Sequence, residues 1–205
     1  MDLEAFFRGY LLIYSLVVMG TRSFLLRQWV QSRREKANKL DIRMFADTHG
    51  IPFVSFAVLV GIGLMMAFLL YFFDPPWMTW AQLSVSEWVR WGGVLLGLVS
   101  LPLHVWVHWT LGKGLAHRQL VTTGPYRKIR HPMFIVTGIV LCSMSLVAAD
   151  FLLLTSVGGF ILLMILWAPR EEEMLLDEFG EQYREYMMRT WKFFPLGKKK
   201  QTEND

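Results

Sequence analysis

The sequence contains one cysteine, Cys142, and it lies inside an apolar run. A single thiol excludes a disulfide within the chain, and nothing in the cysteine usage points to an oxidising compartment. No Walker loop is present, no Cys/His spacing is typical of zinc, and no strand pattern precedes a G-x-G-x-x-G motif. These absences exclude a soluble dinucleotide-binding fold, and we expect no metal ligands and no nucleic-acid partner. A cleavable signal peptide is not expected either, because Asp2 and Glu4 give the wrong charge before the first apolar run.

Long uncharged runs are what the sequence has instead. Hydrophobic residues make up 54% of its 205 residues and are concentrated in stretches long enough to cross a membrane. Residues 6–26, 51–73 and 89–109 each predict one span. Residues 132–167 are too long for one span, so we predict a helical hairpin that turns near Ala148, Ala149 and Asp150. The fold class predicted is an all-α integral membrane protein with about five transmembrane helices.

The distribution of charge predicts the orientation of these spans. Basic residues outnumber acidic residues between spans one and two, between spans three and four, and at the C-terminus, where Lys198, Lys199 and Lys200 follow one another. The positive-inside rule then places the N-terminus outside and the C-terminus in the cytoplasm. We expect a prokaryotic inner membrane rather than the endoplasmic reticulum.

A polar stretch over residues 171–190 follows the last span. Its apolar members recur every four residues, the spacing of one helical face. They are Leu175, Phe179, Tyr183 and Met187. Acidic residues at 171–173 would lie in the first helical turn, where they suit the helix dipole, and Gly180 predicts a weak point in the middle. We therefore predict an amphipathic cytoplasmic helix lying against the bundle.

The segment from Gly124 to Phe134 combines a turn, cations and a histidine just before an apolar run. Pro132 fits the first position of a helix, because its missing N–H would be unpaired there anyway. His131 and Arg130 should then lie beside a helix N-terminus, where free N–H groups and positive charge favour an anionic small molecule. Charge that only sets topology at the foot of a span is the simpler alternative.

Two motifs together resemble the isoprenylcysteine carboxyl methyltransferase family and the wider group that includes phospholipid N-methyltransferases. The first is Gly124-Pro125-Tyr126 with Arg130-His131-Pro132-Met133-Phe134, where the family more often has Tyr in place of Phe134. The second is Glu171-Glu172-Glu173, followed by Phe179-Gly180-Glu181-Gln182-Tyr183, Tyr186, Arg189-Thr190 and Phe194-Pro195. The resemblance covers roughly residues 111–195.

The resemblance implies S-adenosylmethionine as cofactor and methyl transfer to a lipid-like or lipid-attached acceptor at the membrane. Length and the order of the spans predict one domain over residues 1–205: three N-terminal spans with a basic first loop (1–110), a part expected to bind the cofactor and catalyse the reaction (111–195) and a basic, polar tail (196–205). The residues expected to contact the cofactor are Tyr126, Arg130, His131, Pro132, Glu171, Glu172 and Tyr183. The residues expected to take part in catalysis are Arg189, Glu172 and His131.

Several alternatives stay open at this point. The acceptor is expected to be most like a prenylcysteine carboxylate, but a phospholipid amine or a small thiol would also fit. A membrane reductase that uses NADPH is a second hypothesis, since a basic pocket would equally suit a 2′-phosphate. His104 and His108 share one face of the third span, so they are candidates for the substrate cavity or, in a third hypothesis, for a haem-binding subunit. Hydrogen bonding to neighbouring helices is their simpler role.

Overall fold

The computed structural model describes residues 2–34, 51–117 and 119–194, and most of these residues are helical. Two short 3-10 helices cover Pro76–Ala81 and Gly124–Arg127. The α-helices are α1 (Leu3–Arg34), α2 (Ile51–Phe73), α3 (Glu87–His117), α4 (Pro132–Ala148), α5 (Phe151–Phe179) and α6 (Glu181–Arg189). Strand structure within these ranges is limited to isolated bridges.

Five helices, α1 to α5, run alternately between the two ends of the bundle. We call these the Glu4 end, where α1 begins, and the His131 end, where α4 begins. In the described part of the chain, α1, α2, α3 and α5 contain segments long and apolar enough to cross a membrane. Helix α4 has 17 residues, which give it a length of about 25 Å, and it runs between the same two ends. The predicted all-α membrane fold is confirmed.

Small residues allow α3 and α4 to pack closely. A methyl group added at Gly93 would lie 2.8 Å from Cβ of Leu146 and 2.9 Å from the backbone nitrogen of Val147. Because lipid is as apolar as the side chains, helices in a membrane associate through such close packing rather than through the hydrophobic effect. The side chain of Arg90 adds a polar contact to the same pair, since its Nε donates to the carbonyl of Val147 at 2.8 Å.

The hairpin between α4 and α5 turns where the sequence predicts it. Helix α4 ends at Ala148, and Ala149 adopts a left-handed conformation with φ of 51°. Asp150 then caps α5, because its side chain accepts a hydrogen bond from the backbone nitrogen of Leu153 at 2.9 Å. One left-handed residue and one capping residue therefore complete the turn.

The C-terminal helix differs from the prediction in its start. Helix α5 continues through Pro169 to Phe179, so the acidic residues 171–173 lie late in a long helix rather than in the first turn of a new one. The dipole argument for these acids is therefore wrong. Proline costs a helix one backbone hydrogen bond, but here it does not end α5. The break falls at Gly180, whose φ of 56° favours glycine, and α6 follows.

Some predicted features lie outside the described residues. They are the basic residues of the first loop from 35 to 50 and the polar tail 196–205 with its lysine run.

Candidate functional site

The chain entering α4 and the chain leaving α6 meet at the His131 end. The backbone nitrogen of Arg130 donates to the carbonyl of Trp191 at 2.8 Å, and the nitrogen of Trp191 donates to the carbonyl of Lys128 at 2.9 Å. The nitrogen of His131 also donates to the carbonyl of Lys192, at 3.2 Å. These bonds form a short parallel pairing, so the two motifs distant in sequence lie side by side.

Glu172 on α5 is the centre of the charged cluster at this junction. Its side chain is buried, and its Oε1 accepts from Nε of Arg130 at 2.7 Å and from Nε2 of His131 at 3.2 Å. Nζ of Lys192 lies 2.9 Å from its Oε2. One carboxylate thus joins α5 to the start of α4 and to the segment after α6.

Arg130 is largely engaged within the protein. Besides its bond to Glu172, its Nη1 donates to the carbonyls of Met187 and Thr190 at the end of α6, at 3.1 and 2.5 Å. These contacts satisfy carbonyls that a helix C-terminus leaves unpaired. Among the described residues, Nη2 makes no hydrogen bond, so it is the nitrogen left to contact a bound anion.

His131 lies between two carboxylates. Its ring is buried, with Nδ1 3.2 Å from Oε2 of Glu171 and Nε2 3.2 Å from Oε1 of Glu172. Burial alone would lower the pKa of His131, but hydrogen bonds to Glu171 and Glu172 and their negative charges outweigh it and raise that pKa above its usual value. The geometry therefore favours an imidazolium that donates from Nε2 to Glu172, with Nδ1 at ion-pair distance from Glu171.

Two tyrosines bring unpaired hydroxyls to the same region. The side chains of Tyr126 and Tyr183 are buried, and neither hydroxyl has a hydrogen-bond partner among the described residues. Burial, and then the negative charge of Glu171, raises the pKa of Tyr126. Burial and the charge of Glu172 raise that of Tyr183. Both phenols are therefore neutral donors, and a buried donor without an acceptor is costly unless a ligand or water supplies one.

The cation that joins the cluster from the end of α6 is Lys192 and not Arg189. The side chain of Arg189 is 71% exposed and pairs with Glu185 at 2.9 Å on the outer face of α6, so the structure does not bring it into the cluster. Lys192, which is not among the residues predicted for the site, contacts Glu172 instead. Only the pairing of backbone segments, which no local pattern encodes, identifies it. The catalytic role of Arg189 stays a prediction.

The two histidines of α3 lie in the interior of the bundle. The ring centroids of His104 and His108 are 3.9 Å apart, and Nδ1 of His108 donates to the carbonyl of His104 at 2.8 Å. Nε2 of His104 is 3.0 Å from the hydroxyl of Thr21 on α1. They are therefore separate from the cluster around Glu172, and their assignment to the substrate cavity stays a prediction.

A cavity of about 330 Å³ lies at the other end of the bundle, the Glu4 end. Its charged walls are paired with each other: Nη1 of Arg90 lies 2.6 Å from Glu4, and Nη2 of Arg8 lies 2.5 Å from Asp74. These pairs join α1 to α3 and to the chain after α2. The cavity is thus distinct from the cluster around Glu172.

The fold and the cluster define a helical membrane protein with a polar junction at one end of its spans. The model of the family described as phospholipid methyltransferase matches residues 88–182. That family includes the isoprenylcysteine carboxyl methyltransferases, so the resemblance drawn from the sequence is confirmed over these residues. No curated protein matches the chain significantly.

The matched region contains α3, α4, α5 and the first residues of α6. It therefore includes His131 and the glutamates of α5, but it ends before Arg189 and Lys192. Similarity to this family indicates membrane methyltransferase activity, and methyltransferases of the family typically use S-adenosylmethionine.

Proposed function

We propose that this protein transfers a methyl group from S-adenosylmethionine to a lipid-like or lipid-attached acceptor. The observation that carries the proposal is the cluster around His131, where two carboxylates and a buried histidine meet at the end of five apolar helices. Methyl transfer between a polar cofactor and an apolar acceptor requires such a boundary. The polar ligand would enter from the aqueous side, and the acceptor would enter from the bilayer.

The side chains at the junction fit this cofactor. Its amino-acid end carries a carboxylate and an ammonium group, and its ribose carries hydroxyls. Nη2 of Arg130 and the first N–H groups of α4 suit the carboxylate. The unpaired hydroxyls of Tyr126 and Tyr183 suit polar groups of the nucleoside or the amino acid. Pro132 would start α4 beside the ligand without presenting an N–H of its own.

The glutamates of α5 divide into different roles under this proposal. Glu172 is buried and already contacts three cations, so it orders the protein around the ligand. The side chain of Glu171 is 31% exposed and contacts His131, which leaves it the carboxylate for the ammonium or ribose of the cofactor. Glu173 is exposed and supplies a matched control.

The cofactor, when bound, supplies an electrophilic methyl group on a sulfonium, so the protein contributes mainly position and exclusion of water. A carboxylate acceptor needs no base because it is already ionised at neutral pH. An amine acceptor must first lose a proton. His131 is paired with two carboxylates that favour its protonated form, so that proton would go to Glu171.

A prenylcysteine carboxylate is therefore the first acceptor we propose, since its methylation requires no general base from these residues. A phospholipid amine or a small hydrophobic thiol is the alternative. We assign the acceptor to the spans in residues 1–110 and the cofactor to residues 111–195, on the cytoplasmic side of a prokaryotic inner membrane.

Two measurements test the function. Calorimetry of the purified protein should detect binding of S-adenosylhomocysteine and none of NADPH. A labelled-methyl assay with prenylated peptides, phospholipids and thiols should detect transfer to at least one of them. Binding of NADPH alone would instead support the reductase hypothesis, and a Soret band in the absorption spectrum would support the haem hypothesis.

Variants test the assignment of residues. Glu171→Gln should weaken S-adenosylhomocysteine binding by about 10-fold or more, as expected for loss of a charge-assisted contact, whereas Glu173→Gln should not. His131→Ala should abolish transfer. Arg189→Ala decides whether that side chain turns inward during turnover: normal activity would remove Arg189 from the catalytic residues. Equal binding by both glutamate variants would contradict the role of Glu171.

A further inference from the structure

Arg22 is a charged residue inside a membrane-spanning helix. It belongs to the apolar segment Leu3–Phe24 of α1, and its Nη2 donates to the hydroxyl of Thr137 on α4 at 3.0 Å. Within the part of the chain that the structure describes, no carboxylate pairs with it. A cation without an anion at such a position is costly, and ionisable residues there usually serve a ligand.

The histidines of α3 add unused acceptors beside this cation. Thr21 donates to the carbonyl of Val18 at 2.8 Å, so its oxygen accepts from Nε2 of His104. Nδ1 of His104 is then unprotonated and carries a lone pair. This nitrogen is buried and has no hydrogen-bond partner among the described residues. His108 donates from Nδ1, so its Nε2 carries a second lone pair that can accept a hydrogen bond. Because Thr21 directly precedes Arg22 on α1, its 3.0 Å contact with His104 places the paired histidine rings beside this part of α1.

This group lies on the acceptor side of the proposed site. Thr137 follows His131 by six residues along the chain, which corresponds to about 9 Å along α4. Arg22 is exposed on the surface of the bundle while Thr137 and both histidines are buried. The guanidinium therefore stands where a lipid could reach it from the side, between α1 and α4.

We propose that Arg22, with Thr137, His104 and His108, binds an oxyanion of the methyl acceptor. This inference rests on the proposed methyl transfer and names the chemistry of its acceptor. The oxyanion belongs either to the phosphate of a phospholipid or to a lipid-attached carboxylate. The histidine lone pairs accept from an N–H or O–H of the same molecule.

A structural role for Arg22 makes a different prediction. An arginine that only snorkels to the interface, or that only ties α1 to α4, contributes to stability but does not distinguish anionic from neutral ligands. Selectivity for the anion is therefore the property to measure, and Arg27 offers a matched control, since it is an exposed arginine further along α1.

The experiment compares two pairs of ligands that differ in the anion. One pair is S-farnesylcysteine and its methyl ester, and the other is phosphatidic acid and diacylglycerol. The affinity of the purified full-length protein for each ligand is measured in detergent. The wild type and Arg27→Gln should bind the anionic member of one pair at least about 10-fold more tightly, and Arg22→Gln should lose that preference. The pair that responds identifies the source of the anion.

Each outcome decides between the two proposals. Loss of the preference in Arg22→Gln supports the site, even if the wild type transfers no methyl group and the proposed function fails. An unchanged preference and an unchanged KM in Arg22→Gln overturn the site while methyl transfer stands, and a wild type without any preference also overturns it. If Arg22→Gln does not fold, Arg22→Lys should keep the preference and Thr137→Val should weaken it.

Discussion

Replacing Glu172 by Gln tests whether one carboxylate holds the junction of α4, α5 and the segment after α6 together. The side chains of Glu172 and Arg130 are only 9% and 10% exposed, and removal of one member of a buried ion pair costs about 3 to 5 kcal/mol. Lys192 is 32% exposed, so its contact adds little because water screens it. Glu172→Gln should therefore lower the free energy of unfolding by about 3 to 5 kcal/mol.

A loss of that size corresponds to a decrease in Tm of roughly 10 °C for a chain of this length. The measurement is thermal unfolding in detergent micelles, followed by tryptophan fluorescence. Glu173→Gln removes the same charge from the exposed neighbouring position and should leave Tm nearly unchanged. Equal Tm values for the two variants would refute the assignment of Glu172 as the residue that holds the junction.

Two further predictions concern protonation and packing. The folded pKa of His131 lies above its ordinary value of 6.5, so its stabilisation is complete below that pH and is lost as the pH rises through the folded pKa. The Tm of the wild type should therefore fall relative to that of His131→Gln as the pH is raised above about 6.5, and parallel curves would contradict this. Gly93→Ala should cost about 1 to 3 kcal/mol because its methyl group meets α4. Gly92→Ala places a methyl group in open space and should cost nothing, so equal losses in unfolding experiments would argue against close packing at Gly93.

Periodicity and charge predicted the membrane part of this fold well. A run of apolar residues long enough to cross a bilayer has few alternatives to a helix, because backbone groups in lipid must be paired within the segment. The same reasoning placed the hairpin at residues 148–150, since residues 132–167 exceed one span. It failed at Pro169, where a polar stretch appeared to start a new helix but continues α5. Packing of that helix overrides the local signal of proline.

The candidate site was predicted in its location and only partly in its contacts. The motifs around His131 and residues 171–173 pointed to one junction, where the side chains of Glu171 and Glu172 contact His131. Which glutamate is buried, and that Lys192 rather than Arg189 faces it, depends on the direction in which each side chain leaves its helix. That direction is fixed by contacts between segments distant in sequence.

By itself, the sequence determined that this chain crosses a membrane several times and carries two polar motifs at the ends of its spans. Apolar runs and clusters of charge are patterns of residues close together in sequence, so they can be recognised without coordinates. Only the tertiary structure decided that Glu172 joins the two motifs and that Arg22 of the first helix reaches Thr137 of the fourth. Both contacts depend on the distance between helices and their rotation about their axes, which a linear pattern does not specify.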